Sequence, residues 1–390
     1  MFGIHSGGKI GGKVIAVADV GGDSAGVAII HVLPGEPAAI LASERLSLPF
    51  GERTPEQATS GALSLLDEAC KKVLEKYAGA YAGRRARPVV SAYAIIHSHW
   101  TSSKTLQANE VFPTEERITD SVIEKLARSA LGKEGQLDRS KLIEASVISI
   151  ELNGYKTRNI SGKRAHEVQI SALVSGCEPA VRTGITETLQ RNFSVSSPIL
   201  RSEMHALFSV LNESAPQSLD RVIIEMGSDS TNCIVIHEDA AMENILVAEG
   251  TNTILKRISA SAPAEETLSL MRMIARDACE SDACQKLSAA LASIEPELAR
   301  IFGEAMGRLA SSRHLPNPLT IIVRAEFAPW LCLFFSRVDF GQFTITTRPF
   351  SPLALAPGDL GRIAETQENA VVDTSLALAA SFVNIEELQE

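Results

Sequence analysis

Two short stretches about 200 residues apart carry one pattern, and that pattern constrains the fold more than any other feature of the chain. In "KVIAVADVGGDSAGVAII" (13–30) an apolar run reaches an acid, Asp19, enters a Gly/Ser/Asp turn, and leaves as a second apolar run. In "RVIIEMGSDSTNCIVI" (221–236) the same happens around Glu225. Too few residues separate the paired runs for a helix, so each stretch reads as a β-hairpin. Two such hairpins point to two structurally related halves.

The segments between them support that division. "TPEQATSGALSLLDEACKKVLEKYAG" has helical spacing, opens on Thr54-Pro55 and ends at Gly79, and "RPVVSAYAII" reads as a strand. From Ser91 to Ala172 the texture changes to a compact α+β insertion. There "PTEERITDSVIEKLARSAL" reads as a helix, "KLIEASVISIELNG" as a strand ending in an Asn-Gly turn, and "HEVQISALVS" as an alternating strand. "EPAVRTGITETLQRNF" and "RSEMHALFSVL" are helices, residues 262–312 are helical, "LTIIV" is a late buried strand, and "TSLALAASFV" is a closing helix. The expected organisation is a first lobe of residues 1–90 and 173–219, an insertion of 91–172, and a second lobe of 220–390.

Composition narrows the function. With 45% apolar and 22% charged residues the chain is globular, and 5% aromatics leave its core to Val, Ile, Leu and Ala. A net charge of −10 argues against nucleic acid as a standing partner, because phosphate backbones need a basic surface. No apolar run has the length of a signal peptide core or a membrane helix, so direct membrane insertion is not expected. The six cysteines are scattered, several in apolar contexts, and read as reduced thiols of a cytoplasmic protein; Cys279 and Cys284 read as unpaired thiols on a helix.

Two glycine clusters compete as phosphate cradles. Gly7, Gly12 and Lys13 match P-loop spacing, but the cluster precedes a strand, is followed by Val14, and so lacks the hydroxyl and the helix N-terminus such a loop uses. The hairpin turn does better. Its successive backbone N–H groups can converge on an anion, Ser24 adds a hydroxyl, and Asp19 can face a metal through water. A plain hairpin turn is the structural alternative. "HSH" (His97–His99) reads as a polar strand face, with two imidazoles and no third ligand nearby.

These hairpins, with the segments around them, resemble the actin-like ATPase superfamily, closest to the FtsA and PilM types. "VADVGGDSAGVAII" and "IIEMGSDSTNCIVI" are similar to its two phosphate hairpins. "EVFPTEERITDSVIEKLARSAL" and "IELNGYKTRNISGKRAHEVQISALVSG" resemble its inserted subdomain, which favours the FtsA type. "VAEGTNTILKRIS" resembles a following turn and helix, and "DTSLALAASF" the closing helix. The resemblance implies an α/β, actin-like (ribonuclease H-like) fold of duplicated lobes with an inserted small α+β subdomain. It implies ATP and Mg²⁺ between the lobes, with Gly21, Gly22, Ser24, Gly227, Ser228, Ser230 and Thr231 on the phosphates. Gly250, Thr251, Asn252 and Lys256 lie near the nucleotide, and Asp19, Glu225 and Glu203 orient water or a metal-bound water. A capped strand-to-helix turn, surface charges and a solvated helix-start Glu are the respective structural alternatives.

The sequence also departs from that pattern. Glu225 adds a methylene where the resemblance implies Asp, and a displacement on the order of 1 Å can cost ~100-fold in rate. Asp229 sets a negative charge where polyphosphate would lie. "LTIIV" is followed by Arg324, Ala325 and Glu326 instead of a Gly-Gly turn for adenosine, and 262–312 lacks strands. Any ATPase activity is therefore expected to be weak. The expectation is a cytoplasmic scaffold of the FtsA type that recruits division partners or self-associates; the acidic tail "FVNIEELQE" leaves membrane attachment to a partner. A PilM-like pilus-platform component, a nucleotide-free interaction module and a small-molecule kinase are the alternatives.

Overall fold

The computed structural model describes residues 12–51, 53–80, 86–133, 138, 140–157, 159–214, 220–237, 242–259, 262–279, 281–368 and 370–388. Of the first glycine cluster, Gly7 lies outside these residues.

The chain opens with an antiparallel meander, β1 (Lys13–Val20), β2 (Ser24–Val32) and β3 (Ala38–Ser47). Helix α1 (Pro55–Ala80) then returns the chain to β4 (Ser91–Ile96), which pairs parallel with β1. An excursion follows: β5 (Thr101–Arg117), α2 (Asp120–Lys133), β6 (Leu142–Leu152), β7 (Tyr155–Lys156) and β8 (Arg164–Cys177). The chain re-enters through α3 (Pro179–Phe193), β9 (Ile199–Ser202), parallel to β4, and α4 (Glu203–Ser214).

The second half repeats the first. β10 (Arg221–Met226), β11 (Thr231–Ile236) and β12 (Met242–Val247) form a meander. Helices α5 (Thr251–Ile258), α6 (Ala264–Ala275) and α7 (Asp282–Leu309) lead to β13 (Pro318–Ile322), and α8 (Ala328–Arg337) leads to β14 (Ser351–Ala354). The sheets run β3-β2-β1-β4-β9 and β12-β11-β10-β13-β14, the same order twice. β15 (Ala364–Thr366) crosses back to the free edge of β3, and α9 (Thr374–Glu387) closes the chain.

Strand pleat assigns the layers, because alternate residues face opposite sides. Val14, Ala16, Ala18 and Val20 pack on α1 and α3, beside Leu66, Val73 and Ile185. Ile15, Val17, Tyr93 and Ile95 face the other way, onto Leu207 of α4 and Phe382 of α9, and share that core with Ile223 and Ile234 of the second sheet. Val222 and Ile224 turn outward onto Ile254, Leu298, Phe302 and Phe334. Two helices thus lie between two sheets, and each sheet is covered outside by its own helices.

The inserted sheet, β5-β8-β6-β7, is antiparallel and packs on α2 through its own core of Leu106, Val168, Ile170, Ile123 and Leu126. Its strands span Thr101 to Cys177, so β4, placed in the insertion by sequence, belongs to the first lobe. Residues 113–117, read as the start of a helix, are the end of β5; hydrogen bonds to Ala165 and Arg164 outweigh their weak helical pattern. Asn153-Gly154 forms the expected tight turn, with φ of 51° and 80°.

One cysteine reading is corrected. Cys279 lies in the loop before α7, where the Ser281 cap turns the chain so that it meets Cys284 in a disulfide, with Cα atoms 6.1 Å apart. Cys70, Cys177, Cys233 and Cys332 are free.

Candidate functional site

The alternation that builds the inter-sheet core also builds the site. Asp19 continues the Ile15–Val17 face, Glu225 continues the Ile223 face, and His97 follows Tyr93 and Ile95 just beyond β4. All three point between the sheets at the strand ends, where Glu203 opens α4. Asp19, Glu203 and Glu225 are 1%, 4% and 7% exposed.

His97 is the hub. Its Nε2 lies 2.7 Å from Asp19 Oδ1, and its Nδ1 lies 3.2 Å from Glu203 Oε1 and 3.7 Å from Glu225 Oε1. Asp19 has a second partner, Arg45 of β3, at 2.6 Å through Nη2. Asp19, Gly26 and Arg45 stand in one row across β1, β2 and β3. A Cβ on Gly26 would sit 2.6 Å from Arg45 Nη2, so the bare glycine lets the guanidinium lie across β2. Arg45 continues to Asp373, the cap of α9, with Nη2 3.1 Å from Oδ1.

Burial alone would raise the Asp19 carboxyl, but His97 and Arg45 hold it well below the usual carboxylate range. Burial likewise opposes charge on His97, yet Glu203 and Asp19 outweigh it and keep the imidazole protonated well above its usual range. Glu203 is pushed up, by burial first and by Glu225 second. A polar chain leads on from Glu203 into the second lobe. Ser98 N–H donates to Glu203 Oε2 at 3.4 Å, Asn232 Nδ2 to Ser98 Oγ at 2.7 Å, and Asn244 Nδ2 to Asn232 Oδ1 at 2.9 Å.

The two hairpin turns are copies of one another. Gly21 N–H donates to Ser24 O, and Gly227 N–H to Ser230 O, both at 2.9 Å. Together with residues 324–326 after β13 and the start of α9 they enclose a cavity of about 460 Å³. Gly21, Gly22, Ser24, Gly227, Ser228 and Ser230, residues expected on the phosphates, line it, together with Thr251 and Glu225. Other expected contacts are spent within the second lobe. Thr251 N–H donates to Gly227 O at 2.9 Å, Asn252 N–H to Ser228 O at 2.7 Å, and Thr231 Oγ1 to Glu249 O at 2.6 Å. Gly250 permits this contact, since a Cβ there would lie 2.3 Å from Ser228 O. Lys256 is exposed on α5, outside the cavity lining.

Two features were missed in the sequence. His97 is no polar strand face but the centre of the cluster. Glu203, named in the sequence with a solvated helix start as its alternative, is buried. Arg45 was not singled out at all. The parity of Tyr93, Ile95 and His97 on one strand was the available signal for His97; nothing local marks Arg45, which acts two strands away from its partner.

Magnesium polyphosphate fits this cavity poorly. Both turn tips carry carboxylates, Asp23 and Asp229, and burial together with Asp229 pushes Asp23 up. Five carboxylate residues line the cavity (Asp23, Glu225, Asp229, Glu326, Asp373) against two arginines and the His97 imidazole; Arg45 is held by Asp19 and Asp373, and His97 by Asp19 and Glu203. Arg324 and Glu326 bring side chains where a Gly-Gly turn would leave space for a purine.

Two lobes of identical strand order, a pair of helices between them and a hairpin from each facing one cleft constitute the actin-like, duplicated ribonuclease H-like fold. Comparison with solved structures agrees. The chain superposes on a structure of the PilM–PilN type IV pilus biogenesis complex with a TM-score of 0.59 and 12% identity, covering 96% of this chain and 98% of that one. The ethanolamine utilization protein EutJ from Carboxydothermus hydrogenoformans aligns at 0.44 with 9% identity, over 95% and 89% of the two chains. Gluconate kinase from Lactobacillus acidophilus aligns at 0.44 with 12% identity, over 97% and 89%. No protein-family model and no curated protein matches the sequence. Among the described residues no helix is long and apolar enough to cross a membrane.

Proposed function

We propose that this chain is a PilM-type scaffold that recruits a partner protein into a type IV pilus assembly platform and whose output is binding instead of nucleotide turnover. The observation that carries the reading is the superposition on the PilM–PilN complex, which spans nearly the whole of both chains, so the inserted subdomain is aligned along with the lobes. The cleft supports the second half of the statement. A nucleotide switch needs differential affinity of its ligand for two states. Here the tip carboxylates and the engaged Arg45 disfavour a polyphosphate in the conformation observed.

The test is calorimetry of the purified chain with the PilN-type protein of the same genome and, in parallel, with Mg·ATP and Mg·ADP. The expected result is saturable partner binding and no nucleotide heat. Saturable nucleotide binding, lost in a Gly21→Glu/Gly227→Glu variant, would return the protein to the nucleotide-switch class. Binding of a division-apparatus protein in place of the PilN type would move it to the FtsA-type role.

A further inference from the structure

The cluster at the floor of the cleft has a donor geometry that the scaffold reading leaves unused. His97 Nε2 is occupied by Asp19 Oδ1 at 2.7 Å, which turns Nδ1 toward Glu203 and Glu225. Nδ1, a Glu203 oxygen and a Glu225 oxygen all lie within 4.8 Å of one another, with Nδ1 3.2 Å and 3.7 Å from the respective Oε1 atoms. Nitrogen and oxygen ligands about 2.1 Å from one ion at tetrahedral angles stand ~3.4 Å apart. The observed spacings bracket that value.

Glu225 supplies an independent observation. Its side chain is 9% exposed and faces the cavity, and its partner there is the His97 imidazole, whose Nδ1 lies 3.7 Å from its Oε1, longer than a hydrogen bond. A buried carboxylate without a hydrogen-bond donor is costly unless a cation meets it. The His97 imidazole, 3.7 Å away, offsets only part of this charge. Three carboxylates, Asp19, Glu203 and Glu225, converge here on one imidazole, His97, and on the guanidinium of Arg45, which is shared with Asp373.

We propose that the cleft binds one divalent transition-metal ion of the zinc class on His97 Nδ1, Glu203 and Glu225, with Asp19 as the carboxylate that orients the imidazole. The arrangement is a carboxylate–histidine–metal relay, in which the second carboxylate fixes the ring and raises its basicity. One imidazole and two carboxylates suit Zn²⁺ or its neighbours, whereas Mg²⁺ favours an all-oxygen shell. The remaining coordination position opens on the cavity, where water or a ligand atom completes the shell. The ion ties the lobes together, because His97 follows β4, Glu203 begins α4 and Glu225 belongs to β10. The inference does not rest on the partner reading and goes beyond it.

The test uses the full chain without an affinity tag, stripped with chelator and titrated with Co²⁺ as a spectroscopic probe. The expected result is a visible d–d band that saturates at one equivalent, is abolished by Zn²⁺ and survives excess Mg²⁺, together with a metal-dependent rise in Tm. Glu225→Gln, nearly isosteric and checked for folding by circular dichroism, should weaken binding at least tenfold. Asp19→Asn should weaken it about 10–100-fold by loosening the ring. His99→Ala, in the cavity wall but outside the donor set, should bind as the wild type does. The absence of a stoichiometric band in folded wild type overturns the proposal. So does a band that Glu225→Gln and His97→Ala leave unchanged.

Discussion

Arg45 reaches Asp19 across the bare backbone of Gly26, and this three-residue row is the most consequential local feature of the molecule. Removing one partner of a buried ion pair leaves the other charge without compensation, at a cost of roughly 3–5 kcal/mol. Arg45→Met keeps the bulk of the side chain and removes the charge. It should lower unfolding free energy by about 3 kcal/mol, measured by urea denaturation, with a milder loss for Gly26→Ala if Arg45 swings aside. A change below 1 kcal/mol for Arg45→Met would show that His97 alone satisfies Asp19. At this scale the sequence was half legible. Asp19 stands beside Gly21 and Gly22, and Glu225 beside Gly227, so each pair carries a local pattern. His97 and Arg45 join them through strand pairing, which local pattern does not record.

At the scale of elements, the joint between the insertion and the first lobe is polar. Glu144 of β6 is 5% exposed and accepts from Ser202 N–H at 2.9 Å and from the Ser202 hydroxyl; its Oε2 lies 2.9 Å from His205 Nδ1 and 3.8 Å from Arg201 Nε. Burial would raise its carboxyl, but His205 and Ser202 hold it below the ordinary value of 4.5. A folded-state value below the unfolded one means stability that is fully present above about pH 4.5 and is lost as pH falls through the lower, folded value. Acidification should therefore loosen the insertion first, visible as hydrogen exchange in β6 and β8 before the lobes open. Glu144→Gln should cost roughly 2 kcal/mol, in line with charge-assisted hydrogen bonds, and should flatten that acid dependence. An acid transition unchanged in Glu144→Gln would remove Glu144 from the account. The helices and hairpins themselves follow from short-range periodicity, which is why most elements were readable. β5 was not, because its long run of polar residues becomes a strand only by pairing with β8.

For the whole molecule, the closing helix matters more than its position suggests. α9 buries nine residues, from Leu376 to Asn384, against α4 and both faces of the inter-lobe core. Domains of this kind are stable by only ~5–15 kcal/mol in total, and losing a single buried Phe costs about 3–5 kcal/mol. A chain truncated after Val372 should show no cooperative thermal transition by circular dichroism. A truncated chain that still melts cooperatively near the wild-type temperature would mean that each lobe is stable alone.

The sequence by itself determined the duplicated hairpins, the helical and strand segments and the presence of an inserted subdomain, because each is written in contiguous residues of fixed period. Tertiary structure alone decided what the cleft is chemically. Asp19, Arg45, His97, Glu203 and Glu225 come from five separate elements or their ends, and only the packing of two sheets about α4 and α9 brings their charges within reach of one another. Coulomb interactions depend on distance and burial in space, and neither quantity is a property of position along the chain.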